Sequence, residues 1–255
     1  MGRFKTITKS IKLEEGTYSL ITNESYDQFS EKILNLGDIE AKSTLVNALS
    51  VMFDLEGFTN LCKQIDPQLV VPEYLSEFLK WIFQQIKEEL TEQKYTEGYR
   101  KFASFPLFSK FLGDGLLFIW DTNELSEVNI SNIVIAMQNI CENYVAKFYS
   151  KISKKIVDVP KKLRCGIARG AVYTVGNGED FVGPCINMSA RLQKLNNLSF
   201  CFSRRGINPE TMNDESQKEF ITKKVNIRGI GENEIICILK SEFLKLTSEE
   251  RKFFS

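Results

Sequence analysis

The chain contains no histidine. That absence removes Ser-His-Asp triads, Cys-His dyads, imidazole general bases and histidine-ligated zinc from consideration. Acid–base chemistry must then fall to carboxylates, lysine, tyrosine or the substrate itself. Cysteine is sparse: Cys62, Cys141, Cys165, Cys185, Cys201 and Cys237 include no CxxC spacing, so no dithiol or zinc-ribbon motif is written here. Most sit in apolar stretches and read as buried free thiols of a reducing cytoplasm. No apolar run approaches the ~20 residues of a membrane span, and Met1-Gly2-Arg3-Phe4-Lys5 is not followed by the apolar core of a secretory signal. Charge of either sign is not in surplus, with 33 basic and 33 acidic residues, which speaks against nonspecific nucleic-acid binding. The expectation is a cytoplasmic protein with no nucleic-acid or membrane partner.

What is present is an ordinary globular composition, 43% hydrophobic and 26% charged over 255 residues, enough for one large domain. Val46 to Phe53 is apolar, β-compatible and ends at Asp54, which reads as a central strand. Asp66-Pro67 supplies a helix cap and a first-turn proline. Val71, Leu75, Phe78, Ile82, Ile86 and Leu90 then mark one helix face at steps of three and four. The aromatic stripe Tyr74, Phe78, Trp81 and Phe83 reads as core or interface. Residues 107–113 and 115–120 form a hairpin around Gly113-Asp114-Gly115. A second amphipathic helix spans 128 to about 152, with Ile133, Met137, Ile140, Tyr144 and Phe148 on one face. Strands follow at 163–168 and 171–175, broken at Gly170, then a short helix at 184–195, a strand at 199–203, and a last hairpin of 225–228 with 234–239. The order β-α-β-β-α-β predicts an α+β, ferredoxin-like domain with extra C-terminal strands. Residues 1–44 read as an N-terminal extension holding one short helix over 25–34, residues 45–240 as the catalytic-size domain, and 241–255 as a tail.

Two aspartates resist a packing explanation. Asp54 closes the apolar strand in FDLEGFT, and Asp114 sits at the hairpin turn in KFLGDG. A carboxylate at the end of a buried strand needs a cation or donors, and two brought together repel unless a divalent metal lies between them. The pair therefore points to metal-assisted phosphate chemistry. A third stretch, DFVGPCINMSARL, carries Asn187 and Arg191 four apart, on one helix face. Such an amide and guanidinium can orient a sugar oxygen and neutralise charge growing on a phosphoryl group. Read alone, the pair fits a solvated helix face better than a site, and Arg228 fits an exposed turn arginine as well as a ligand.

Together the three stretches resemble the catalytic domain of class III adenylyl and guanylyl cyclases, whose pattern is F-x-D-I-x-G-F-T, then K-x-x-G-D, then D-x-x-G-x-x-V-N-x-A-x-R. The resemblance covers about residues 45 to 240. It implies that Asp54 and Asp114, with the Leu55 carbonyl, hold two Mg²⁺ or Mn²⁺ ions. It further implies that Asn187 orients the ribose, that Arg191 stabilises the α-phosphate, and that Arg228 meets the triphosphate. Cyclases of this kind complete each site across two domains, so a single domain implies a homodimer with two equivalent sites. Lys110 and Asp180 match the positions that read adenine, whereas guanylyl cyclases usually carry Glu and Cys there. The chain departs from the pattern at Val182, where tryptophan is typical, at LLFIWD after Asp114, and at Pro184. These departures and the texture of FVGPCINMSARLQKL are similar to the stand-alone pyrimidine cyclases of bacterial Pycsar antiphage systems, which make cyclic UMP or cyclic CMP, often with Mn²⁺, to activate a separate effector. On that likeness a pyrimidine product is expected, cyclic UMP ahead of cyclic CMP, with cyclic AMP as the alternative. Ser50 and Met52 share the Asp54 face by period two and are expected to line the base pocket. Two other classes remain open: a non-catalytic nucleotide sensor, and a diguanylate-cyclase-like palm. The intact aspartates and Asn/Arg pair argue against the first, and the missing GGDEF-type hairpin against the second.

Overall fold

The computed structural model describes residues 8–13, 16–91 and 104–255. Residues 1–7 and 14–15 of the expected extension, and 92–103 of the expected catalytic domain, lie outside the described residues. The chain divides into a smaller unit, Met1–Leu45 with Tyr173–Val182, and a larger one, Val46–Val172 with Gly183–Ser255. No helix among the described residues is long and apolar enough to cross a membrane.

In the smaller unit, β1 (Thr8–Leu13) and β2 (Gly16–Ile21) form an antiparallel hairpin that the sequence reading did not anticipate. The single helix expected over 25–34 is two pieces, α1 (Asn23–Asp27) and a 3₁₀ turn at Glu31–Leu34. Thr22 caps α1 one turn early, its hydroxyl accepting from the Ser25 amide at 3.2 Å, and Ser30 is extended between the two pieces. Ser43 and Thr44 bind Thr174, Ser43 Oγ donating to its carbonyl at 2.8 Å.

From Leu45 onward the chain runs through β3 (Leu45–Glu56), which enters the larger unit at Val46, then α2 (Phe58–Leu61), α3 (Pro67–Leu90), β4 (Phe108–Phe111), β5 (Gly115–Asp121) and α4 (Glu127–Asn143). A π-turn at Tyr144–Tyr149 and the short α5 (Ser150–Ile152) prolong α4. Then come β6 (Lys162–Val175), β7 (Asp180–Val182), α6 (Pro184–Leu192), β8 (Phe200–Ser203), α7 (Asp214–Glu219), β9 (Phe220–Ile227), β10 (Gly231–Leu239), α8 (Lys240–Lys245) and α9 (Ser248–Arg251). The sheet order is β4-β5-β3-β6-β8-β10-β9. Its first four strands, with α3 and α4 as crossovers, are the βαββαβ arrangement expected from the sequence. The last three residues of β6 belong to the smaller unit, where they pair with β7.

Both long helices face inward as their spacing predicts. Tyr74, Phe78, Ile82, Ile86 and Leu90 of α3 and Ile133, Met137 and Ile140 of α4 are buried in one core with Leu49, Val51, Phe53 and Leu55 of β3. Tyr144 joins the layer by hydrogen bonds, its hydroxyl donating to the Pro160 carbonyl at 2.6 Å and meeting Tyr74 Oη at 2.7 Å.

Three local features refine the expectations, and one of them, the break at Gly170, is corrected. Asp66 takes the N-cap position of α3 with Pro67 in the first turn, as expected, but it is left-handed at φ 59° and its side chain makes no cap bond. Gly170 does not break a strand, because β6 runs unbroken for 14 residues. A Cβ at Gly170 would lie 3.3 Å from Cys185 Cβ, so the glycine serves the approach of α6. In the expected tail, Ser255 exchanges two backbone bonds with Lys224 of β9, at 2.8 and 3.0 Å, and Phe254 is buried.

Candidate active site

The two faces of β3 set the site. Odd residues enter the helical core; by period two, Ala48, Ser50, Met52 and Asp54 face the other way. There α6 lies along the strand, with Ser189 Oγ 2.7 Å from Ser50 Oγ. The helix packs so closely on β6 that a Cβ at Gly166 would stand 2.3 Å from the Ser189 carbonyl oxygen and 2.4 Å from the Gln193 nitrogen. Glycine at 166 is therefore what admits α6 to the sheet.

The antiparallel register pairs Asp54 with Gly115, and the Leu55 amide donates to the Asp114 carbonyl at 2.9 Å. Gly115 is again a close approach, since a Cβ there would lie 2.2 Å from the Phe53 carbonyl oxygen. The fold thus brings Asp54, Leu55 and Asp114 together, with Asp54 buried and Asp114 exposed at the turn. Arg164 of β6 donates from Nε to Asp54 Oδ2 at 3.0 Å and from Nη2 to the same oxygen. Lys194, just beyond α6, faces Oδ1 with its Nζ at 3.8 Å. The two cations differ in strength. Arg164 is largely shielded, and breaking a charge-assisted pair to a buried carboxylate is costly. Lys194 is 60% exposed, so its pair is weak and easily exchanged.

Among the described residues no group of three or more His, Cys, Asp or Glu side chains gathers to hold a metal. The donors at hand are two carboxylates and the neighbouring backbone carbonyls. All are hard oxygens of the kind Mg²⁺ and Mn²⁺ take, and Oδ1 of Asp54 is screened by an exchangeable lysine. That set fits a divalent ion with further ligands from substrate or water.

Asn187 and Arg191 stand one turn apart on α6, both exposed. Asn187 lines a cleft of about 470 Å³ with Arg169, Arg205, Gly229 and Ile230. Arg228 is exposed and immediately precedes that turn. Arg169 Nη1 is held by Glu127 at 2.7 Å and the Gly206 carbonyl at 2.8 Å, and Arg205 by the buried Glu234. Cys185 also lines the cleft; burial pushes its thiol up to about 12, so it is neutral and a poor nucleophile near pH 7. Neither Asp54 nor Asp114 lines this cleft.

The remaining expected site residues divide. Lys110, Leu117 and Met52 are in register across β4, β5 and β3, so Lys110 projects from the same face as Asp54 and is exposed. Asp180 lies in the smaller unit, on β7, where its carboxylate accepts from the Phe181 amide at 2.9 Å. Ser50 and Met52 are corrected: Ser50 is fully enclosed and spends its hydroxyl on Ser189, and Met52 is buried beside it. Neither offers a surface to a base. Arg164, Lys194, Arg169 and Arg205 were missed. A charged residue inside the apolar strand LRCGIA was the available signal for Arg164; for the others only the fold supplies one.

No family model matches the chain, and no curated protein sequence does. Solved structures do. The guanylyl cyclase Cya2 is similar over 77% of this chain and 93% of its own, at 15% identity and a TM-score of 0.56. The adenylyl cyclase CyaB from P. aeruginosa is similar over 78% of this chain and 95% of its own, at 13% identity and 0.53. The guanylate cyclase domain of RhGC from Catenaria anguillulae, in complex with GTP, gives 76% and 97%, 14% identity and 0.52. The chain has the fold of class III nucleotidyl cyclase catalytic domains.

Proposed function

We propose that the chain is a metal-dependent nucleotidyl cyclase that converts a nucleoside triphosphate to a 3′,5′-cyclic mononucleotide and pyrophosphate, as a cytoplasmic homodimer. The observation that carries this reading is the β3–β5 register, which sets Asp54 beside the Asp114 turn. Asp54, Asp114 and the Leu55 carbonyl would hold two ions, Mn²⁺ or Mg²⁺, which polarise the 3′-hydroxyl and the phosphates when bound. Arg164 holds Oδ2 of Asp54 and leaves Oδ1 facing the exposed Lys194. Asn187 donates to a ribose oxygen, and Arg191 presents its guanidinium to the α-phosphate, where negative charge grows. Arg228 meets the triphosphate beyond. The bond from the 3′-oxygen to the α-phosphorus forms as the bond to pyrophosphate breaks. With no histidine in the chain, the 3′-hydroxyl proton leaves to solvent or to a phosphate oxygen.

The cleft of Asn187 excludes both aspartates. Each chain would thus contribute two half-sites, and a two-fold dimer would complete two whole ones. The likeness to Pycsar enzymes favours a pyrimidine product, cyclic UMP over cyclic CMP, feeding a separate effector in antiphage defence. Cyclic AMP is the second reading. It is favoured by Lys110, which shares the Asp54 face at a position that reads adenine in the related pattern. The experiment is incubation of the pure protein with Mn²⁺ and each labelled triphosphate in turn, with identification of the product. Asp54→Asn and Asp114→Asn should each lower turnover at least ~100-fold, the scale of losing a transition-state electrostatic contact. Absence of cyclic product from all four triphosphates sinks the cyclase reading; preference for ATP over UTP and CTP sinks the pyrimidine branch.

A further inference from the structure

The helical side of the larger unit carries a second cleft, across the sheet from α6. It measures about 730 Å³ and lies between α3 and the π-turn that prolongs α4. Its floor is aromatic. The Trp81 ring is 5.1 Å from Phe148 and 5.7 Å from Tyr144, centroid to centroid. Phe148 and Tyr144 are buried, but Trp81 is only half-buried and keeps part of its ring open to the cleft.

The rim is basic. Lys80, Lys147, Lys151, Lys154 and Lys155 border the cleft, all exposed, and none makes an ion pair with a described residue. Lys147 and Lys151 are four apart, a spacing at which like charges repel. Of the two acids on the rim, Glu88 is occupied, accepting from Gln84 Nε2 at 2.8 Å and Gln85 Nε2 at 2.6 Å. That arrangement leaves Gln85 Oε1 buried with no hydrogen-bond partner among the described residues. A buried acceptor left unmatched costs stability, and Gln85 is among the residues that line the cleft. The π-turn is the local device: one extra residue in the turn widens a helix, and such turns concentrate at functional sites.

Lysine stems lying over an apolar floor with their heads in water would explain the rim alone. They would not explain a half-buried indole lining the same cleft as a glutamine whose buried amide oxygen is unmatched. We propose that this cleft is a second ligand site, distinct from the cyclase cleft and independent of the cyclase reading, for a small phosphorylated aromatic molecule of the nucleotide class. The ring packs against the exposed part of Trp81, and the phosphate rests among the lysines.

Intrinsic fluorescence reads this site directly. The chain has two tryptophans, and Trp120 is fully buried with its indole N–H on the Ser104 carbonyl at 3.0 Å. Titration of the full-length protein with AMP and with UMP, without divalent metal, should quench Trp81 saturably, and inorganic phosphate should not. The Trp81→Phe protein should give no signal. Lys147→Glu with Lys151→Glu should weaken binding about tenfold or more, since two attractions become repulsions, while basal catalysis and the melting temperature stay as in the wild type. Lys154→Glu with Lys155→Glu is the independent second variant. Lack of saturable quenching, wild-type affinity in both charge-reversed proteins, or equal quenching by phosphate alone would each overturn the proposal.

Discussion

At the scale of single residues, chemistry that interrupts an expected pattern was the legible part. Asp54 and Asp114 stand out because a carboxylate ending an apolar strand must be compensated. Their compensation was not legible: Arg164 is 110 positions from Asp54 in sequence, and only the neighbouring of β3 and β6 brings it to 3.0 Å. Ser50 misled for the opposite reason. Its period-two position was right, yet period says which face a residue takes and nothing about what covers that face. Gly166 is the residue on which the geometry of the site depends most. Gly166→Ala drives a methyl into two backbone atoms of α6, an overpacking cost of about 3 kcal/mol. The melting temperature should fall by roughly 6–12 °C, with cyclase turnover falling alongside as Asn187 and Arg191 shift. Melting within a degree of the wild type would mean that α6 rides more loosely than described.

Among elements, α3 and α4 were legible because their apolar spacing is long and regular, and the buried faces match it. The ends of elements were not. Asp66 takes the cap position its sequence predicts, but with a left-handed backbone and no side-chain bond to the first-turn amides. The β6 strand passes Gly170 because a neighbouring element required a small residue, a demand invisible along one strand. The elements also decide the behaviour of the thiols. Cys141, Cys165, Cys185, Cys201 and Cys237 are buried in strands and helices, and Cys62 alone is exposed at the end of α2. Burial raises the pKa of Cys165, Cys185, Cys201 and Cys237. A raised pKa means the thiolate is reached only at higher pH, so these four stay protonated through pH 8. A disulfide-exchange reagent at pH 8 should label one thiol rapidly in the native protein and six after denaturation. Rapid native labelling of two or more contradicts the packing.

For the whole molecule, the βαββαβ order was readable from alternating helix and strand signals, and the solved cyclases share that fold at 13–15% identity. The hairpin of the smaller unit and the docking of the C-terminal strand-like segment on β9 were not, because both depend on pairing between short polar segments with weak periodicity. The proposed dimer makes a quantitative prediction. Asp54→Asn and Arg191→Ala proteins should each be nearly inactive alone. Mixed and allowed to exchange subunits, they should recover ~25% of wild-type activity, because about half the dimers are mixed and each mixed dimer holds one unaltered site. No recovery after verified exchange would locate each site within one chain.

The seating of α6 bears on how such a dimer would work. This nine-residue helix presents Asn187 from its fourth position, is tied to β3 two residues on through Ser189 and Ser50, and is followed just past its end by Lys194, 3.8 Å from Asp54. In a two-fold pair, Asn187 and Asp54 of one chain would serve opposite sites. The helix would then be a rigid strut running from one site toward the other, so strain from substrate closing on one would be delivered to its twin. The two sites would turn over as one mechanical unit.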